Sequence, residues 1–200
     1  PAESVAVDVP AVHRRVTDLA AAQSADIASR LTVEGVKMIR GRAELADPEP
    51  GLATHRVRAT GVDGAVTELT AEVVLIATGA SPRILPGAKP DGERILTWRQ
   101  VYTLTQLPEH LIVVGSGVTG AEFASAYTEM GVPVTVVSSR DRVLPGEDAD
   151  AAAVLEEVFA ERGVTLVKRA RAERVLRDGG GVLVELADGR QVRGSHALMT

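Results

Sequence analysis

Between residues 10 and 34, apolar side chains recur close to the helical period, through Val12, Val16, Leu19, Ala20, Ile27 and Leu31. The pattern predicts a long amphipathic helix, with Gly35 placed to end it. "VKMIRG" (36–41) then reads as a short strand and "DPEPG" (47–51) as a turn. "HRVRAT" (55–60) and "AVTELT" (65–70) flank Gly61, Val62, Asp63 and Gly64, which predicts a β-hairpin. The run "EVVLIATG" (72–79) is continuously apolar, as a strand buried on both faces would be.

From 80 to 108 the pattern gives way to prolines (Pro82, Pro86, Pro90, Pro108), glycines and mixed charges, a crossover carrying one helix at "TWRQVYTL" (97–104). A strand at "HLIVVG" (110–115), a helix over 119–130 and a strand at "VPVTVVS" (132–138) follow. A helix over 149–162 opens after "GEDAD", where Asp148 or Asp150 is placed to cap it. Strand "VTLVK" (164–168), a hairpin over 172–191 and a last buried strand at "ALMT" (197–200) complete the pattern.

The two halves repeat. "EGVKMIRGRAEL" (34–45) aligns with "RGVTLVKRARAE" (162–173), setting Gly35 over Gly163, and each copy runs helix, strand, hairpin, buried strand. Thr200 falls on Thr78, so the glycine after Thr78 has no counterpart, and the first copy lacks the strand and glycine turn that open the second. The expectation is an internal piece of a longer chain. Its fold class is α/β, with two Rossmann-like dinucleotide-binding domains of the three-layer sandwich type, both incomplete. Residues 1–80 form the carboxyl-side part of the first, 81–108 the linker, and 109–200 the second, truncated at its last strand.

Composition narrows the chemistry. A net charge of −5, from 22 basic and 27 acidic side chains, argues against nucleic acid as a partner. Lys168, Arg169, Arg171 and Arg174 form a local basic stretch that reads as a solvated strand edge. No apolar run approaches the ~18–20 residues of a membrane span, and no charged-then-apolar leader is visible, which leaves the cytoplasm as the default location. The absence of cysteine excludes thiol chemistry within these residues. His13, His55, His110 and His196 are scattered, which predicts surface or edge histidines and no metal site.

Gly115-Ser116-Gly117-Val118-Thr119-Gly120 is a G-x-G-x-x-G between an apolar strand and a helix rich in small residues. Gly115 permits the tight turn, Gly117 the close approach of a pyrophosphate, and Gly120 the packing of helix on strand. The helix amino terminus then offers N–H groups and partial positive charge to phosphates. An ordinary glycine-rich turn is the alternative. At the end of the next strand, NAD-binding sites place a carboxylate that bonds the ribose hydroxyls and repels a 2′-phosphate. Here Ser138, Ser139 and Arg140 stand instead, with Arg142 nearby. The substitution predicts a site that admits NADPH as well as NADH. Otherwise Arg140 faces solvent and the serines simply end the strand.

"VVLIATGASPRILPG" (73–87), "LTWRQVYTL" (96–104), "LPEHLIVVGSGVTGAEFA" (107–124) and "VTVVSSRDRVLPGEDAD" (134–150) resemble the flavoprotein disulfide reductases in order and spacing. "AAAQSADI", "ATGASPRILP", "GERILTWRQ" and "SHALMT" narrow the likeness to actinobacterial lipoamide-dehydrogenase-like NAD(P)H quinone reductases. The resemblance implies an FAD domain, an inserted NAD(P) domain and a dimerisation domain lying outside this chain, hence a homodimer. It places Ala77, Thr78 and Gly79 on the flavin side and the backbone of Ala43 at the FAD adenine. Ala172 takes the matching place for the NAD(P) adenine. Glu122 matches an acid that helps organise the nicotinamide and flavin neighbourhood, though a first-turn glutamate also suits the helix dipole. The implied activity is hydride transfer from NAD(P)H to FAD and on to a quinone-like acceptor. Dihydrolipoyl dehydrogenase or another disulfide reductase is the alternative enzyme, and a non-catalytic nucleotide-binding fragment the alternative of another class.

Overall fold

The computed structural model describes residues 6–47 and 53–200, so most of the turn predicted over 47–51 lies outside the described residues. The chain divides into two compact units, residues 17–80 and the described residues up to 16 together with 81–200.

Helix α1 (Val9–Val33) opens with the Asp8 carboxylate accepting from Ala11 N at 2.9 Å. It closes with Gly35 at φ +73, where Val36 N donates to Leu31 O and Gly35 N to Thr32 O. This paired closure needs a left-handed residue, which glycine supplies without steric cost. Gly163 closes a later helix with the same two bonds, to Phe159 and Ala160, so the equivalence of Gly35 and Gly163 is structural.

In the smaller unit β1 (Gly41–Leu45), β2 (His55–Gly61) and β3 (Val66–Ala71) form an antiparallel meander. The predicted hairpin turn holds, with Gly64 at φ +81 and Gly61 N donating to Ala65 O. Two predicted strands are absent. Pairing starts only at Gly41, and residues 72–79 join no sheet, leaving Val73, Leu75 and Ile76 at 82%, 87% and 69% exposure. Apolar periodicity marks a segment able to enter a buried sheet, but a strand exists only where a neighbour takes its N–H and C=O groups. No described segment does so here.

In the larger unit β4 (Ile95–Thr97), β5 (Leu111–Val114), β6 (Val134–Val137), β7 (Thr165–Val167) and β11 (His196–Met199) form a parallel sheet. Its order is β4-β11-β5-β6-β7. Helices α2 (Val118–Glu129) and α3 (Ala149–Glu161) connect β5, β6 and β7, with Asp148 capping α3 through Asp150 N. The predicted hairpin is the start of a three-stranded antiparallel sheet of β8 (Ala172–Asp178), β9 (Gly181–Leu186) and β10 (Gln191–Gly194).

Strand alternation builds two cores. Leu111, Val113, Val134, Val136 and Leu198 pack with Ala124, Tyr127 and Phe159 of the helices. Ile112, Val114, Val137, Ala197 and Met199 pack with Val175, Val182, Val184 and Leu186 of the antiparallel sheet. All four residues of β5 are buried, as a strand covered on both faces requires. The result is the α/β, three-layer, Rossmann-like arrangement that the pattern predicts.

The helix predicted over 97–104 is instead one 3-10 turn, Gln100–Thr103. Before it lies β4, which the sequence pattern misses because it is three residues long and pairs only with β11, far along the chain.

His55 is exposed, as predicted, but the other three histidines are less superficial. His13 is buried edge-on to Tyr102 at 5.5 Å, and His110 Nε2 lies 2.9 Å from Thr135 Oγ1. His196, 8% exposed, has Nδ1 3.0 Å from Ser195 Oγ and Nε2 3.4 Å from Arg94 Nη1. Burial, reinforced by Arg94 and Arg177 against a weaker pull from Asp91, lowers its pKa to about 4. The folded state thus holds a neutral imidazole that the unfolded chain protonates below about pH 6.5. Stability from this group is complete above that pH and is lost as pH falls toward 4. Denaturant titrations from pH 7 to pH 5 are expected to show a shallower loss of unfolding free energy in His196→Asn than in the parent. Parallel losses would show that His196 does not supply this dependence.

Candidate functional site

At the carboxyl end of β5 the chain reverses at Gly115, φ +127, and α2 begins at Val118. Gly115 N donates to Val137 O at 3.0 Å, while Thr200 N and Oγ1 both donate to Val114 O, at 3.1 and 3.2 Å. A Cβ on residue 115 would run into the carbonyl and hydroxyl of Thr200, and one on residue 120 into the carbonyl of Gly115. Fold geometry therefore demands both glycines. Gly117 differs: its φ is −71, and nothing lies within 4 Å of where its Cβ would be. As the N-cap of α2 it supplies no side-chain cap, so the first-turn N–H groups at Val118, Thr119 and Gly120 keep their capacity for an anion.

A cleft of about 550 Å3 opens at this edge of the sheet. Val114 of β5 and Gly115 after it, Val137 of β6 and Ser139 after it, Thr200 after β11, and Ala170, Arg171, Ala172 and Glu173 around the start of β8 line it. Arg83, Leu85, Pro86 and Gly87 close one side. That segment is anchored by Val175 N donating to Gly87 O at 2.8 Å. A crevice beyond the carboxyl ends of parallel strands is where open α/β sheets take ligands.

Of the predicted nucleotide residues, Gly115, Ser139 and Ala172 line the cleft, and Gly117, Val118, Thr119 and Gly120 form the turn and first helical turn beside it. Ser116 and Ser138 are buried, 5% and 2% exposed, with their hydroxyls 2.6 Å apart. Ser138 Oγ also accepts from Arg140 N at 3.0 Å, so it shapes the turn that presents Ser139 and Arg140. Those two residues are exposed. Arg142 is turned away, its Nη2 donating to the carbonyls of Pro145 and Glu147 at 3.3 Å. Glu122 is exposed on α2 along a separate groove with Val118, Leu144 and Leu155. In the smaller unit, Ala43 pairs with Ala59 on the exposed β1, and Ala77, Thr78 and Gly79 lie exposed outside any strand. Sequence reading missed Arg83, Arg171, Glu173 and Thr200, which come from segments read as linker, strand edge or chain end. Only the repeat hinted at one of them, by matching Thr200 to Thr78.

The three-layer unit and the glycine turn at its parallel edge define a Rossmann-like dinucleotide-binding fold. Residues 2–200 match the family described as pyridine nucleotide-disulphide oxidoreductase, and the chain belongs to that family. It is 68% identical over 194 residues to an NAD(P)H dehydrogenase (quinone) of Mycobacterium tuberculosis, covering 97% of this chain and 39% of that protein. It is 33% identical over 183 residues to a dihydrolipoyl dehydrogenase of Chlorobaculum tepidum, covering 92% of this chain and 38% of that one. The crystal structure of LpdA from Mycobacterium tuberculosis superimposes with a TM-score of 0.89 at 67% identity, over 98% of this chain and 43% of that chain. The chain thus spans about two fifths of the length of these relatives.

The glycine geometry separates fold from binding. Gly120→Ala is expected to lower the thermal midpoint by several degrees, because its Cβ would run into the Gly115 backbone and press on the Thr200 hydroxyl. Gly117→Ala should leave the midpoint close to the parent's yet weaken dinucleotide binding, read by quenching of nicotinamide fluorescence. Comparable melting losses in both variants would assign Gly117 to the fold alone.

Proposed function

We propose that this chain is the nucleotide-binding part of an FAD-dependent NAD(P)H oxidoreductase that passes hydride from nicotinamide to flavin and on to a quinone-like acceptor. The observation that carries the reading is the open space before Gly117 at the uncapped start of α2, beside a cleft whose β6 end carries no carboxylate. Residues 109–200 form the NAD(P)-binding domain, residues 1–80 belong to the FAD-binding domain, and 81–108 cross between them. The first-turn N–H groups of α2 bind the pyrophosphate, with Gly117 letting it approach. Ser138, Ser139 and Arg140 make up the adenosine ribose site, Ser138 also holding the turn through Arg140 N, and Ala172 meets the adenine. Glu122 supports the nicotinamide end, and Ala43, Ala77, Thr78 and Gly79 contribute to the FAD site. When bound, FAD would supply the two-electron chemistry that accepts hydride from the nicotinamide.

Family membership supports both cofactors, and the relative at 68% identity bears a quinone-reductase name, which favours a quinone-like acceptor over lipoamide. Ser138 favours the same choice, because dihydrolipoyl dehydrogenases resemble NAD users with a glutamate at this position. The enzyme acts as a homodimer through a domain outside this chain, and works in the cytoplasm.

The full-length protein is expected to carry flavin absorbance that bleaches with either NADH or NADPH and recovers on adding a soluble benzoquinone. A colourless protein that FAD does not reconstitute would refute the enzyme reading, and recovery with lipoamide alone would transfer it to dihydrolipoyl dehydrogenase. Ser138→Glu is expected to shift kcat/KM toward NADH by roughly tenfold or more, the scale of one charge-assisted contact to phosphate. An unchanged ratio would remove residue 138 from the ribose site.

A further inference from the structure

The basic run 168–174 splits into two kinds of residue. Lys168 pairs with Glu156 at 2.7 Å and Arg174 with Glu185 at 3.1 Å, so both are accounted for by neighbouring elements. Arg169 and Arg171 are exposed and form no ion pair among the described residues. Their backbone is nonetheless fixed. Ser138 N donates to Val167 O, Ala170 N to Ser138 O and Arg169 N to Arg140 O, zipping this turn to the end of β6. Ala187 N in turn donates to Arg171 O at 2.9 Å. Arg169 carries φ +52, a left-handed conformation unusual for a side-chain-bearing residue, which reverses the chain just before it enters the cleft. Arg171 is therefore delivered into the cleft that Ser139 lines, by a backbone tied at both ends. Arg83 and Glu173 are the other charged residues lining it. Arg142, the second cation that the sequence offered for this role, is spent on the carbonyls of Pro145 and Glu147.

We propose that Arg171 is a specificity-determining residue of this cleft, taking the 2′-phosphate of NADPH beside Ser139 and Arg140. The inference rests on the nucleotide-site reading above and adds a residue that lies outside the glycine turn and outside the end of β6. A guanidinium suits the role because it presents paired donors to phosphate oxygens and stays charged at every working pH.

The test is flavin reduction in the full-length holoenzyme, comparing kcat/KM for NADPH and NADH in the parent, Arg171→Ala, Arg171→Lys and Arg171→Glu. The NADPH-to-NADH ratio is expected to fall roughly tenfold in Arg171→Ala, further in Arg171→Glu, and least in Arg171→Lys. Competitive inhibition by 2′,5′-ADP should weaken in the same order, relative to inhibition by 5′-ADP. Flavin content and thermal midpoint equal to the parent's confirm that each variant is folded. Equal losses with both nucleotides would overturn the proposal by placing Arg171 on the shared adenosine or pyrophosphate, while leaving the oxidoreductase reading intact. No change in the ratio would also overturn it. A parent enzyme that neither nucleotide reduces would overturn both.

Discussion

Backbone meets backbone where β5 turns into α2, and the larger unit is arranged around that approach. The carbonyl of Gly115 occupies the space a Cβ on residue 120 would need, and Thr200 fills the space beside residue 115. Through these contacts β5, the helix that follows it and the end of β11 are brought to one point. Thr200 holds the end of β11 to Val114, and Gly115 holds the turn to Val137 on β6. A side chain at residue 120 would push the helix off the turn, and one at residue 115 would displace the end of β11. The same crowding leaves the amino terminus of α2 pointing past the strand ends, which is what makes the edge suitable for an anion.

Around that point the structure assigns different tasks to residues that look alike in sequence. Gly115 and Gly120 serve packing, whereas Gly117 has no packing partner and keeps space clear before the helix. Ser138 and Ser139 are adjacent, yet one is buried against Ser116 and the other lines the cleft. Arg142 braces a loop through backbone carbonyls, while Arg171 reaches the cleft from the turn before β8. Such divisions arise because these residues lie in turns and at a helix start, where each backbone bond redirects the next side chain.

The repeat has a physical counterpart. Each half runs from a helix closed by a left-handed glycine to a three-stranded antiparallel meander, β1-β2-β3 in one and β8-β9-β10 in the other. In the second half the meander covers one face of the parallel sheet and buries Val182, Val184 and Leu186. The equivalent apolar run at 72–79 remains exposed and unpaired. The difference lies in the neighbours available to each, since the two segments have comparable apolar character.

The sequence by itself determined the helices α1, α2 and α3, the strands β5 and β6, the hairpin at 61–64 and the glycine turn. Each depends on local periodicity, capping or the conformational freedom of glycine, and these are written within a few consecutive residues. Tertiary structure alone decided whether 36–41 and 72–79 became strands, that Ile95–Thr97 joins the parallel sheet beside β11, and that His13 and His196 are buried. It also decided which arginines face the cleft. Strand formation requires a partner that completes the backbone hydrogen bonds, and a charged side chain's role depends on which opposite charges or carbonyls lie within reach. Both are set by residues distant in the chain, so neither appears in the local pattern.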